Sequence, residues 1–233
     1  MRTALITAAG LSLLAQPAGA ATRNFGVSGF TRIRVEGPYQ VHLATGIAPF
    51  AKATGSPAAL DSVAVEMRGD TLIVRSSPSW GGYPGTDVGP VEISIGTHDL
   101  DKAGVLGAGS IAIDRVKGLS FALTVEGSGS GEIGYVEADR LDVTLMGTAS
   151  AKVSGKALKL STLVRGTSTL DAAGLVTPNA AISLDGTASV DANVTDTARI
   201  DGWGPARVRL SGQPSCAIKV SGSTSVSGCR KSQ

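Results

Sequence analysis

The sequence predicts an all-β protein and, within that class, a β-solenoid: a single-stranded β-helix with rungs of about twenty residues. Three observations carry this expectation. Glycines recur at near-constant spacing at Gly107, Gly127, Gly147, Gly166, Gly186, Gly202 and Gly222. Each follows a short alternating run, such as Leu123-Thr-Val125, Val143-Thr-Leu145, Ile182-Ser-Leu184 or Ile218-Lys-Val220. Helix signals are almost absent, the best being the short stretch Glu137-Ala-Asp-Arg-Leu-Asp142. One strand-turn unit cannot bury its own apolar face, whereas copies stacked about 4.8 Å apart can. A β-sandwich of hairpins is the alternative, since evenly spaced strands with turn signals suit it too. Regular glycine spacing favours the solenoid, because a sandwich has no need of it.

The chain opens with Met1-Arg2-Thr3, an apolar run from Ala4 to Ala15, and the small-x-small pattern Ala18-Gly19-Ala20. This reads as a secretory signal peptide, residues 1–20, cleaved after Ala20. The run is shorter than the roughly 20 apolar residues of a membrane span. No Cys follows the cleavage site and no second span follows, so the mature chain, 21–233, is expected to be exported and not membrane-spanning. It is read as one domain, with less regular strands over 25–95 and repeat rungs over 96–233. In the first part, Ile33/Val35, Val41/Leu43, Val63/Val65/Met67, Leu72/Val74 and Val91/Ile93/Ile95 alternate as strands do. Arg68-Gly-Asp-Thr71 between two such runs reads as a hairpin turn, and residues 78–90, rich in Pro and Gly, as a loop.

Within the rungs, period two runs through the glycine. Leu145, Gly147, Ala149, Ala151 and Val153 share one parity, and Thr148, Ser150 and Lys152 the other. Successive side chains of a strand face opposite ways, so one face is apolar and narrow and the other carries hydroxyls. Small inward residues beside each glycine suggest a tight corner. Cys216 and Cys229 are the only cysteines. In an exported protein they are expected to form one disulfide that clips the terminal segment.

Composition narrows function more than it names it. The 21 basic and 19 acidic residues nearly cancel, which leaves no electrostatic footprint for nucleic acid. Aromatic residues make up 4%, too few for base-stacking platforms. Two His and two Cys leave little for metal sites or His-based catalysis, and no cofactor is expected. No G-x-S-x-G, S-x-x-K, H-E-x-x-H or Walker A motif occurs. His42 reads as an outward strand residue and His98 as a turn residue. Gly129-Ser-Gly-Glu-Ile-Gly134 matches G-x-G-x-x-G, but no helix of useful length follows it, so it reads as a glycine-rich rung corner.

The order of several motifs resembles a known family. They are Phe30-Thr-Arg-Ile-Arg-Val-Glu-Gly37, Val41-His-Leu43, Asp61-Ser-Val-Ala-Val65 leading into Gly69-Asp-Thr-Leu-Ile-Val74, and the Gly-[Ser/Thr] rungs. The closing Val220-Ser-Gly-Ser-Thr-Ser-Val-Ser-Gly-Cys229 belongs with them. Together these resemble the DUF2807 family, described as putative autotransporter-adhesin head domains, or GIN domains. The resemblance implies a β-helical extracytoplasmic domain with an adhesive or envelope role. It brings no catalytic motif, and no translocating β-barrel follows here.

Two features suit recognition. One is a hydroxyl ladder: Ser128/Ser130, Thr148/Ser150, Thr167/Thr169, Thr187/Ser189 and Ser223/Ser225. The other is a set of aromatic and basic residues, with Trp80 and Tyr83 in the Pro/Gly loop and Trp203 with Arg207 beside the ladder. Trp on an open surface often contacts sugars or proteins. The expected function is non-enzymatic binding at the bacterial envelope, in the periplasm or at the cell surface, with a polysaccharide or surface protein as partner. Exposed strand edges at the solenoid ends would favour self-association. The alternative is a lyase or hydrolase acting on polysaccharide. Asp171, Asp191 and Lys152 fall at one stacked position, and a groove holding Asp, Lys and Arg within about 6 Å would support it.

Overall fold

The computed structural model describes residues 20–78 and 89–230. Residues 1–19 of the expected signal peptide (1–20), residues 79–88 of the expected loop, and residues 231–233 lie outside the described residues. The first elements are β1 (Ala21–Phe25), β2 (Arg32–Glu36), β3 (Gln40–Thr45), β4 (Phe50–Gly55), α1 (Pro57–Asp61), β5 (Val63–Arg68), β6 (Thr71–Ser76), β7 (Glu92–Thr97) and β8 (Lys102–Gly107). Then come the long rungs β9 (Ser110–Gly127), β10 (Ser130–Gly147), β11 (Ser150–Gly166), β12 (Thr169–Gly186) and β13 (Ser189–Trp203). The last coil is β14 (Arg207–Ser211), β15 (Ser215–Ser221) and β16 (Ser225–Ser227).

Rungs β9 to β13 pair in parallel, each with the next, nearly residue for residue. This is a solenoid; a sandwich of hairpins would pair these segments antiparallel. Glu137–Asp142, the best helical stretch by sequence, is part of β10 and stacks on β9 and β11. Ala138 and Leu141 face inward with Asp139 and Arg140 both exposed between them, so the stretch turns a corner of the coil instead of forming a helical turn. The first part mixes directions. Strands β2 and β3 stack in parallel on β8 and β9, while β1, β4 and β7 pair antiparallel. The β5–β6 hairpin turns at Gly69-Asp70, as the sequence predicts.

The helix α1 is not legible from hydrophobic period, but its start signals are present. Ser56 caps it by accepting from Ala59 N at 3.1 Å, and Pro57 sits in its first turn. It buries Ala59 and Leu60 against the N-terminal strands.

The interior is a set of columns, each made by one position repeated up the stack. Leu123, Val143, Thr162, Ile182 and Ile200 form one, and Val125, Leu145, Val164, Leu184 and Gly202 another. Gly202 thus belongs to the core. The member of the glycine series in that rung is Gly204, whose backbone lies against Gly186, with Gly222 against Gly204 in turn. The series therefore steps by 18 residues at its last two intervals. It also begins earlier, at Gly37, which lies against Gly107.

One column member is polar. Thr162 is 4% exposed, and its Oγ1 has no hydrogen-bond partner among the described residues. A buried hydroxyl without a partner forfeits its hydration for nothing. Thr162→Val is therefore expected to raise stability by about 1–2 kcal/mol. A thermal melt checks it, and an unchanged or lower Tm would show that the hydroxyl is satisfied in solution.

Candidate functional site

The corner between the end of one rung and the start of the next is built from the glycine column. Gly37, Gly107, Gly127, Gly147, Gly166, Gly186, Gly204 and Gly222 all have φ between 81° and 109°. That region is open to glycine at little cost. The absence of a side chain also lets backbones touch: a Cβ on Gly147 would lie 2.6 Å from the Gly127 carbonyl oxygen. The position two residues on points inward and stays small, as Gly109, Gly129, Ala149, Ser168 and Ala188. Ser168 is fully buried; its hydroxyl proton is shared between the Gly147 and Arg165 carbonyls, at 3.1 and 3.0 Å, and its oxygen accepts from Ala149 N.

Between and after these inward residues stand the predicted hydroxyls. Thr148, Thr167 and Thr187 directly follow the stacked glycines and are exposed. The backbone N–H groups of Thr148 and Thr167 donate to Gly127 O and Gly147 O, each at 2.8 Å. The second series is in strict register: Ser110, Ser130, Ser150, Thr169, Ser189, Arg207 and Ser225. The N–H groups of Ser150, Thr169, Ser189 and Arg207 donate to the small inward residue of the preceding rung at 2.9–3.1 Å. Backbone pairing thus fixes two files of hydroxyls at the inter-strand pitch of about 4.8 Å.

At its C-terminal reach the corner becomes concave. Thr187, Ser189, Pro205, Arg207, Ser223 and Ser225 line a depression of about 430 Å³. The Arg207 guanidinium adds a planar, always-charged donor to the hydroxyls around it. Trp203, 54% exposed, stands on the other flank of this corner, in the column of Asp185 and Ser221. Trp80 and Tyr83 lie outside the described residues. The structure therefore brings Thr187, Ser189 and Arg207 together, sets Trp203 nearby, and extends the file through Thr148, Ser150, Thr167 and Thr169.

Two outward positions along each rung runs a charged file: His42, Ala112, Glu132, Lys152, Asp171, Asp191 and Arg209. The stacking of Lys152, Asp171 and Asp191 is legible from the twenty-residue spacing; the addition of Arg209 is not, because the rung before it is two residues shorter. Lys152 Nζ is 4.0 Å from Glu132 Oε1. Arg209 grips Asp191 through Nε and Nη2, both at 2.6 Å. These two line a cleft of about 220 Å³ with Ala173 and Leu210. Of the Asp, Lys and Arg grouping that an enzyme would need, the cleft holds Asp191 and Arg209 alone, and their pairing does not suit proton donation. The Arg209 hydrogen bonds hold the Asp191 carboxyl below the usual carboxylate range, against a smaller opposing effect of burial. A general acid needs the opposite shift. The linkage follows the same sign: the pair stabilises above the ordinary carboxylate pKa, and its contribution is lost as pH falls through the depressed value.

A further groove, of about 650 Å³, lies on the remaining side of the coil, where Leu119, Leu158, Val176 and Pro178 are flanked by Lys117 and Lys156. Its sequence signal is weak: Leu119 and Leu158 are apolar residues that fall on outward positions. Among the described residues no three His, Cys, Asp or Glu side chains are grouped so as to hold a metal ion. No helix there is long and apolar enough to cross a membrane. His42 is exposed on β3 with Nε2 3.9 Å from Glu92, and His98 is exposed in a bend. Cys216 and Cys229 form the expected disulfide.

Solved structures share this architecture. One described as a putative adhesin from Bacteroides fragilis superposes with a TM-score of 0.80 at 17% identity, covering 90% of this chain and 97% of its own. One described as a putative lipid binding protein from Parabacteroides distasonis gives 0.71 at 19% identity, covering 89% and 96%. A putative adhesin from Parabacteroides merdae gives 0.68 at 16% identity, covering 89% and 95%. At these identities the likeness is one of fold. No curated protein matches the chain. The family described as "Putative auto-transporter adhesin, head GIN domain" matches residues 29–214, and the chain belongs to that family, DUF2807.

Proposed function

We propose that this protein is an exported, non-enzymatic binding protein of the bacterial envelope that engages a surface polysaccharide through its hydroxyl-bearing corner. The observation that carries the reading is the file Ser130, Ser150, Thr169, Ser189 and Arg207, held in register by the backbone. A repeating polymer presents the same groups at regular intervals, and a rigid file of hydroxyls can meet several at once without ordering flexible side chains. That saves the entropy that weakens most polar contacts. Arg207 and Trp203 at the far reach add a hydrogen-bond donor and an aromatic face, the pair of groups that sugar hydroxyls and sugar rings favour. Membership of an adhesin family and the disulfide, which suits an oxidising compartment, support the same placement.

The test is binding of labelled protein, residues 21–233, to isolated envelope polysaccharide and to intact cells. A variant with Thr148, Thr167 and Thr187 all changed to Lys runs beside it. These side chains are exposed, and a melting curve of the variant checks that the fold withstands three stacked lysines. Saturable binding that weakens at least tenfold in the variant, about 1.4 kcal/mol, is the expected result. Binding to cells that survives removal of polysaccharide would point to a protein partner. No binding to any of these materials would remove the adhesive reading.

A further inference from the structure

The two ends of the solenoid are finished differently. At the N-terminal end, the β5–β6 hairpin, β1, β4 and α1 lie over the stack. There Ala51, Leu60, Leu72 and Val74 are each at most 3% exposed. Tyr39 closes that end too, its hydroxyl donating to Ser62 O at 2.9 Å. At the C-terminal end the interior columns simply stop. Ile218 stacks beneath Ile200 and Val220 beneath Gly202, yet they are 48% and 38% exposed. Strand β15 pairs with β13, and β16 with β14; among the described residues no strand pairs with the other side of either. The end thus offers inward-facing apolar side chains and a row of backbone donors and acceptors. A polysaccharide can satisfy neither in register; a polypeptide strand satisfies both.

Charge selects which polypeptide. Residues 202–233 contain Arg207, Arg209, Lys219, Arg230 and Lys231 and no Asp or Glu. Arg209 is neutralised by Asp191, and Asp201, one rung back from Lys219, receives Arg199 at 3.1 Å. Lys219 in the middle of β15 and Arg230 remain as positive charge on this end. A second copy meeting it end to end would set Lys219 near Lys219, and like charges on facing strands repel.

We propose that the C-terminal end of the solenoid accepts an extended acidic segment of another polypeptide, which adds as the next strand on β15. Apolar residues of the segment would pack on Cys216, Ile218 and Val220, and its carboxylates would lie beside Lys219. This surface is separate from the hydroxyl corner and stands or falls independently of it.

The probe is a labelled seven-residue peptide alternating Glu and Val, Glu at both ends, whose pattern reads the same in either strand direction. Its counterpart carries Lys for Glu. Anisotropy with the disulfide-intact protein should show saturable binding of the acidic peptide at least tenfold tighter than the basic one. In Lys219→Glu, an exposed change whose melting curve should match the parent, the preference should reverse. Four results would overturn the proposal: no saturable binding of the acidic peptide, equal binding of both peptides, an unaltered preference in Lys219→Glu, or a dimer in sedimentation that the acidic peptide displaces. The last would make a second copy the occupant.

Discussion

Gly147→Ala is expected to destabilise the protein by about 3–5 kcal/mol, of which backbone strain accounts for about 1–3. The residue's φ is 95°, so a side chain is strained there whatever the space. The space is also missing, because the new Cβ would sit 2.6 Å from Gly127 O. That oxygen accepts from Thr148 N at 2.8 Å, while Gly147 O in turn accepts from Thr167 N at 2.8 Å. A methyl group must therefore push two neighbouring rungs apart at the corner where they meet. For a chain of this size each kcal/mol moves Tm by about 2–4 °C, so a fall of about 10 °C is expected. Gly118→Ala is the control. It has ordinary φ and open space around its Cβ, and should stay within about 0.5 kcal/mol of the parent. Equal effects from the two substitutions would mean that the corner relaxes and is not the rigid seam described here.

Reduction of the Cys216–Cys229 disulfide is expected to remove about 3 kcal/mol of local stability, the entropy of leaving a loop of this length open. The loss should be confined. In a solenoid each rung contacts only its neighbours, so stability is close to a sum of local terms. Cys216 ends the interior column of Leu141, Leu160, Ala180 and Ala198, and Arg230 N donates to Pro214 O at 2.9 Å beside the clip. Hydrogen exchange after reduction should therefore lose protection over residues 207–227 while β10 and β11 keep theirs. Unchanged protection of β15 and β16 would show that strand pairing alone holds the last coil.

The rungs were legible in the sequence because glycine, small inward residues and alternating hydrophobes all report the same corner. The hydroxyl file followed from parity alone, and the disulfide from two cysteines in a chain whose start reads as an export signal. Where the period changes, legibility fails. Counting twenty back from Gly222 assigns Gly202 to the corner; the structure places Gly204 there, because rung β13 has shed residues. The same shortening hid Arg209 from the charged file and so concealed its grip on Asp191. Helix α1 was missed for a different reason: five residues hold too little periodic signal, and only the Ser56-Pro57 start marks it. The concavity around Arg207 depends on how the last coils curve, which no local pattern encodes.

The changes in rung length also fall in one place. Between β10 and β11 the register slips only from Ile133 to Val136, between β11 and β12 only from Lys152 to Ser154, and between β12 and β13 only from Ala172 to Asn179. All lie at the bend that follows each rung's first segment, far along the chain from the glycine seam. Gains and losses of one to three residues have been absorbed there without disturbing a neighbour. The coil thus separates what may drift from what may not. Evolution, or an engineer grafting a loop, can lengthen that bend rung by rung, while the hydroxyl file beside the glycine seam keeps its pitch.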